Sequence, residues 1–222
     1  MTIEFNAADQ TITLNTAATS YQIKISPEGV LLHTWYGEKT AGDMSYQINY
    51  RDRGFAGQID DFGSDRTKSL DVLPQEYPGT ATGDFRKPAV DLSDHTGPVG
   101  TDFRYVSHRI VDGKYSLSDL PAVYGSREQA QTLEILVMDA VSGAEITLLY
   151  SVFPETDMIT RAAVLHNAGN KRLIVNQAAS ASMDILHGDY DLIHFYGSQG
   201  AERQLERSRV GHSQTTVKSR RG

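Results

Sequence analysis

The sequence predicts an all-β fold, a large antiparallel β-sandwich, on three observations. Apolar residues recur with a period of two, short turn signals separate the alternating segments, and no window carries an amphipathic helix capped at both ends. Thr11-Ile12-Thr13-Leu14 and Tyr21-Gln22-Ile23-Lys24-Ile25 alternate polar and apolar side chains, as half-buried strands do. Val30 to Tyr36 follows Ser26-Pro27-Glu28-Gly29, where Pro and Gly stand as a turn requires. A stronger group comes later. Gln131 to Met138, Glu145 to Phe153, Met158 to Asn167 and Arg172 to Met183 read as strands, with Ser142-Gly143 and Ala168-Gly169-Asn170 as connectors short enough for antiparallel hairpins. Ser126 to Gln131 offers one helical turn at most.

Strands this long point to large sheets. Their short connections leave no room for crossover helices, which favours two antiparallel sheets packed face to face. No repeat of fixed period and no low-complexity linker divides the chain, so residues 1–222 read as a single domain. The segment from Gly37 to Val99 is different, with few strand signals and many Gly, Asp and Pro residues. Its aromatic residues Tyr46, Tyr50, Phe55, Phe62, Tyr77 and Phe85 argue for order, so residues 37–99 are expected to form a long structured loop region at one end of the sandwich.

Composition narrows the function classes. A chain of 222 residues with 39% hydrophobic content can bury one large core without staples. It has no cysteine, which excludes disulfides, thiolate nucleophiles and cysteine zinc sites together. The opening MTIEFNAADQ has neither a basic leader nor an apolar core, and the longest apolar runs are far shorter than the ~18 residues a membrane helix needs. A cytoplasmic location away from membranes is the expectation. Net charge of −7 disfavours nucleic acid as a partner. Arg203, Arg207, Arg209, Lys218, Arg220 and Arg221 make the end of the chain basic, but the interleaved Glu202 and Glu206 read as a solvated strand face.

Several segments in order carry a family resemblance: DRGF, SDRTKSLDVLPQEYPGTATGDFRKPA, RYVSHRI, LPAVYGSREQAQTLEI, MITRAAVLHNAG, SASMDILHGDYDLIHFYGSQGAERQLER and the final SRRG. Together they resemble the N-terminal part of the bacterial α-galactosidases of glycoside hydrolase family 36, over nearly the whole chain. The resemblance implies an N-terminal β-supersandwich that precedes a catalytic (β/α)8 barrel and a small C-terminal β-domain. It implies a chain that covers most of the first domain and stops before finishing it. Substrates would be melibiose- or raffinose-type galactosides, and the full-length enzyme a homotetramer without metal or cofactor.

Retaining glycoside hydrolysis needs two carboxyl groups roughly 5 to 5.5 Å apart across the scissile bond. In the family both are Asp residues of the barrel, and the nucleophile lies in a Lys-Trp-Asp segment. The only Trp here is Trp35, in His33-Thr34-Trp35-Tyr36, so neither catalytic carboxylate is assigned and the segment alone is expected to be inactive. The resemblance gives the domain another task, since loops of the N-terminal domain reach the active site of a neighbouring subunit. In the segment matching Arg51-Asp52-Arg53-Gly54-Phe55 an Asp contacts the terminal galactose, which makes Asp52 a candidate substrate-binding residue. A carboxylate can accept hydrogen bonds from adjacent sugar hydroxyls; an ordinary surface ion pair with a neighbouring arginine is the competing reading. Gln199, in Tyr196-Gly197-Ser198-Gln199-Gly200, is a second candidate, with an amide where relatives often carry a Trp.

Within residues 73–90, LPQEYPGTATGDFRKPAV, three prolines fix φ while Gly79 and Gly83 permit tight bends. Glu76, Asp84 and Arg86 are the groups able to tie such a loop together, with a carboxylate paired bidentately to Arg86 as the expected bond. The loop is read as a brace for the Asp52 region and a subunit contact. Asp60-Asp61 reads as solvated loop charges or caps, since neighbours in an extended segment point to opposite faces and are poorly placed to share a proton. The cluster of His187, Asp189, Asp191 and His194 lacks familiar zinc spacing and reads as structural hydrogen bonding. Two other functions stay open, a freestanding carbohydrate-binding module and a purely structural oligomerisation domain.

Overall fold

The computed structural model describes residues 2–52, 54, 63–118, 123–185 and 188–218, and their regular structure is almost entirely strand. The chain divides into two compact units, Met1–Asp184 and Ile185–Gly222. In the first unit, β1 (Ile3–Asn6), β2 (Thr11–Asn15), β3 (Thr19–Ile25) and β4 (Leu31–Glu38) form an antiparallel meander in that order. A second four-stranded meander contains β7 (Arg104–Asp112), β8 (Gln131–Met138), β9 (Ala144–Phe153) and β10 (Met158–Asn167). A small sheet has β5 (Val90–Asp94) between β6 (Gly97–Val99) and β11 (Ile174–Ala178). The second unit contains the hairpin of β12 (Asp191–Ser198) and β13 (Ala201–Arg209).

The period-two pattern shows where the core lies. Ile12 and Leu14 on β2, Tyr21, Ile23 and Ile25 on β3, Leu133, Ile135 and Val137 on β8, and Ile146, Leu148, Tyr150 and Val152 on β9 all enter one buried cluster. Val90 and Leu92 from the small sheet join it, so three sheets share a single core. Each such side chain contributes about 1.5–3 kcal/mol relative to exposure. The turns are those the sequence signals. Gly29, at φ +80°, closes the β3–β4 turn by donating its N–H to the Ser26 carbonyl at 2.9 Å. The β8–β9 turn is held by Asp139, whose Oδ2 accepts the Ser142 backbone N–H at 2.8 Å.

The long loop region packs against β4 where its residues are described. Its strand-like middle runs beside that strand: the His33 N–H donates to the Pro74 carbonyl at 2.7 Å and the Glu76 N–H to the Leu31 carbonyl at 2.9 Å. A second buried cluster of Val30, Leu32, Ile48, Leu70 and Leu73 forms between them. Both faces at the start of β4 are therefore covered, which explains the uninterrupted apolar run Val30-Leu31-Leu32. The end of the region is itself regular, since residues 90–99 contain β5 and β6.

The strand expected over Arg172 to Met183 is shorter, with ladder pairing confined to Ile174–Ala178 and a register shift between Val175 and Gln177. Its partner β5 begins at Val90, just after Pro88, so pairing beyond Ala178 reduces to one bond from the Ala179 N–H to the Ala89 carbonyl at 2.8 Å. Ser126 to Ala130 makes a single hydrogen-bonded turn, closed by the Ala130 N–H on the Ser126 carbonyl.

Candidate functional site

Asp52 sits exposed in a short turn of the first unit. Its Oδ1 accepts the Gly54 backbone N–H at 2.7 Å, so the side chain copies a backbone turn, and Gly54 takes φ +76°. The Arg66 side chain closes this turn from outside. Its Nη2 donates to the Gly54 carbonyl and stands 3.4 Å from Asp52 Oδ1. Arg66 is itself presented by a fixed segment: Asp65 Oδ1 accepts the N–H of Thr67 at 3.1 Å, and Lys68 Nζ reaches Glu28 Oε1 at 3.0 Å on the β3–β4 turn. Tyr50, just before Asp52, lines a cavity of about 30 Å³ with Glu28, Val30, Leu32, Lys68 and Leu73. Oδ1 is thus contacted from two sides while the side chain keeps about half its exposure, 47%.

Gln199 occupies the tight turn between β12 and β13 in the second unit, exposed, beside Gly200 at φ +78°. Gly197 permits this turn for a different reason: a Cβ there would stand 2.6 Å from the Ala201 carbonyl oxygen. Asp52 and Gln199 therefore belong to separate units.

Asp84 and Arg86 are brought together. Arg86 Nε and Nη2 grip Asp84 Oδ1 and Oδ2 at 2.9 and 2.8 Å, a bidentate pair. Nη2 also donates to the carbonyls of Leu70 and Leu73, at 2.9 and 2.7 Å, while Nη1 reaches Asp184 Oδ2 at 2.5 Å. One guanidinium thus joins three places in the chain, and Gln75 Nε2 adds a bond to Asp84 at 2.8 Å. Burial pushes the Asp184 carboxyl up from its ordinary range, against the pull of Arg86. Since the guanidinium serves both Asp84 and Asp184, this pair is a clamp and leaves no opening for a glycosidic bond between its two acids.

Glu76 is not joined to Arg86. Its carboxylate is fully buried among three strands, accepting hydrogen bonds from Tyr21 Oη at 2.7 Å, Tyr150 Oη at 2.6 Å and Arg161 Nη2 at 2.5 Å. Burial raises the Glu76 carboxyl from its usual value, opposed by the Arg161 charge and the two tyrosine hydroxyls. Both phenols are pushed well up by burial and by the Glu76 charge. His33 Nδ1 lies 3.7 Å from Glu76 Oε2 and has no hydrogen-bond partner among the described residues. Burial first, and the Arg161 charge second, lower its imidazole to about 4, so it is neutral at pH 7. This network and Arg66 were missed by sequence reasoning. The available signal was a polar residue at inward strand positions: Tyr21 on β3, Tyr150 on β9, and Arg161 inside Met158–Asn167.

Among the described residues the remaining candidates do not assemble a reactive centre. Asp60, Asp61 and His187 lie outside the described residues. Asp191 pairs with Arg207, Asp189 with Arg209 at 2.6 Å, and His194 with Glu206 at 3.7 Å. Among the described residues no group of three His, Cys, Asp or Glu side chains is placed to hold a metal ion. Arg203, Arg207 and Arg209 lie on β13 with Glu202 and Glu206, and most of that strand is solvent-exposed.

Comparison with known proteins identifies this scaffold. The pattern described as the glycosyl hydrolase family 36 N-terminal domain matches residues 29–222. The bifunctional α-galactosidase/sucrose kinase AgaSK of Mediterraneibacter gnavus is 44% identical over 222 residues, 100% of this chain and 24% of that protein. α-Galactosidase AgaA of Geobacillus stearothermophilus is 39% identical over 224 residues, with 100% of this chain and 30% of the relative covered. The solved galactosidase domain of AgaSK superposes with a TM-score of 0.91 at 44% identity, covering 95% of this chain and 29% of that one. The α-galactosidase AgaB of Geobacillus stearothermophilus gives a TM-score of 0.91 at 38% identity, over 99% of this chain and 30% of the other. The chain thus spans under a third of these relatives' length, and it belongs to glycoside hydrolase family 36, matching that family's N-terminal domain.

Proposed function

We propose that this chain is the N-terminal portion of an α-galactosidase that removes terminal α-linked galactose from melibiose- or raffinose-type oligosaccharides by a retaining mechanism. Its catalytic carboxylates come from a barrel outside these residues. This portion supports a homotetramer, and its loops complete the substrate site of a neighbouring subunit. Asp52 accepts hydrogen bonds from galactose hydroxyls, Gln199 offers an amide to the sugar, and Glu76, Asp84 and Arg86 brace the loop that supports the Asp52 region. The enzyme works in the cytoplasm, a compartment that suits a chain without cysteine.

The observation that carries this reading is the alignment of the whole chain with the N-terminal part of α-galactosidases, at 44% and 39% identity. A relative, AgaA A355E D548N, has been solved in complex with raffinose, which supports the substrate class. The exposed and doubly held carboxylate of Asp52 is suited to a ligand that presents neighbouring hydroxyls.

The test compares the isolated chain with the full-length enzyme on an aryl α-galactoside. Turnover is expected from the full-length enzyme alone, and Asp52→Ala is expected to lower its kcat/KM. Turnover by the purified 222-residue chain would overturn the assignment. Tight galactose binding by that chain without the barrel would favour a freestanding carbohydrate-binding module. An Asp52→Ala enzyme with unchanged kcat/KM would leave a purely structural role.

A further inference from the structure

We infer that Arg66 is a positioning residue for substrate binding, acting through Asp52; this rests on the proposed contact of Asp52 with galactose. The three groups form a closed arrangement. The Gly54 N–H and the Arg66 guanidinium both lie against Oδ1 of Asp52, at 2.7 and 3.4 Å, and the same Arg66 nitrogen donates to the Gly54 carbonyl. Two contacts on Oδ1 thus restrict the rotation of the carboxylate that is offered to a ligand hydroxyl.

Charge and order both matter here. A carboxylate free to rotate loses side-chain entropy on binding, and holding it beforehand removes that cost. A surface ion pair of this exposure adds little to folding by itself, so its value lies in geometry rather than stability. Arg66 is well placed for that role because its own segment is fixed, by the Asp65 bond to the Thr67 N–H and by Lys68 on Glu28. The strut runs from the β3–β4 turn through Lys68 and Arg66 to Asp52. A Cβ at Gly54 would meet Arg66 Nη2 at 3.9 Å, so the guanidinium lies directly over the turn.

The test is a double-mutant cycle in the full-length enzyme with melibiose as substrate. Asp52→Ala is expected to raise KM about tenfold, the loss of one charge-assisted hydrogen bond, and Arg66→Ala to raise it severalfold but by no more than that, each with a smaller change in kcat. The double variant should be no worse than Asp52→Ala alone, because Arg66 acts only through that carboxylate. Should the Arg66→Ala enzyme fail to fold, Arg66→Lys serves in the same cycle, since it keeps a cation but cannot hold both Gly54 and Asp52. If Asp52→Ala leaves KM unchanged, the proposed sugar contact falls and this inference with it. If Asp52→Ala raises KM while Arg66→Ala does not, or if the two effects multiply, the positioning role alone is overturned.

Discussion

Arg161 Nη2 stands 2.5 Å from Glu76 Oε1, and the carboxylate it meets has no exposed surface. The pair ties the loop carrying Glu76 to β10, while Tyr21 and Tyr150 tie the same carboxylate to β3 and β9. Two four-stranded sheets and the loop beside β4 therefore share one acceptor group. Such a pair recovers its desolvation cost only when the remaining lone pairs are satisfied, as the two phenols do here. Removing one partner exposes that cost. Arg161→Met should destabilise the protein by about 3–5 kcal/mol, because Glu76 stays buried without the charge that offsets its desolvation. Urea unfolding gives the difference, and a loss under about 1 kcal/mol would show that the pair carries little of the fold.

His33 gives the network a pH dependence of definite sign. Its imidazole is lowered from the ordinary 6.5 to about 4, so between those values the unfolded chain binds the extra proton and the folded chain does not. Stability from this group is present above pH 6.5, declines as the pH falls to about 4, and then levels, a loss of up to about 3 kcal/mol. Glu76 works in the opposite sense, because burial raises its folded value and the folded chain takes up that proton first. The two are separated by His33→Phe, which keeps a ring against Tyr21, 4.7 Å away in the native protein. Urea midpoints for this variant should fall less between pH 6.5 and 4 than those of the native protein; parallel curves would show that His33 does not titrate as described.

The sheets were legible and the network was not, for a common physical reason. Period-two alternation reports which side chains point inward, so β2, β3, β8, β9 and β10 could be read from residue type alone. The strand β1 escaped because it is only four residues long and largely exposed, and β7 because a bulge between Tyr105 and Ser107 breaks its period. The Asp84–Arg86 pair was within reach because its partners lie two residues apart in the chain. Glu76 meets groups 55, 74 and 85 positions away, and only the sheet packing brings them together. Asp52 and Gln199 came from family resemblance, while Arg66 carries no local signal that sets it apart from other exposed arginines.

Gly79 tests how closely the loop region is packed. A Cβ at this position would lie 2.4 Å from the carbonyl oxygen of Thr101 and 2.5 Å from its hydroxyl, and Thr101 is fully buried. The nearest atom is backbone and cannot swing aside. Gly79→Ala should therefore cost about 1–3 kcal/mol through overpacking, although it adds only one methyl group. Thermal unfolding of the variant measures it, and an unchanged Tm would mean that the two segments separate more easily than their approach indicates.

Arg86 differs from an ordinary surface arginine in what depends on it. Its side chain is 37% exposed, yet the Asp84 carboxylate that it grips is only 2% exposed, so removing the arginine side chain leaves a buried charge held by Gln75 and the backbone N–H of residue 86. The Leu70 and Leu73 carbonyls lose a donor in the same step. Arg86→Ala should cost about 3 kcal/mol, comparable to breaking a buried pair rather than a surface one. Arg86→Lys should recover less than half of that, because a single ammonium cannot reproduce the planar fork that meets Asp84, Asp184 and two carbonyls at once. Asp184→Asn removes only the outer contact and should cost under about 1 kcal/mol, since its burial already disfavours the charge. The order of the three variants in Tm, with alanine lowest and the asparagine variant nearest the native protein, is the measurable consequence; equal values for the lysine and native proteins would show that charge alone, and not the fork, holds the loop.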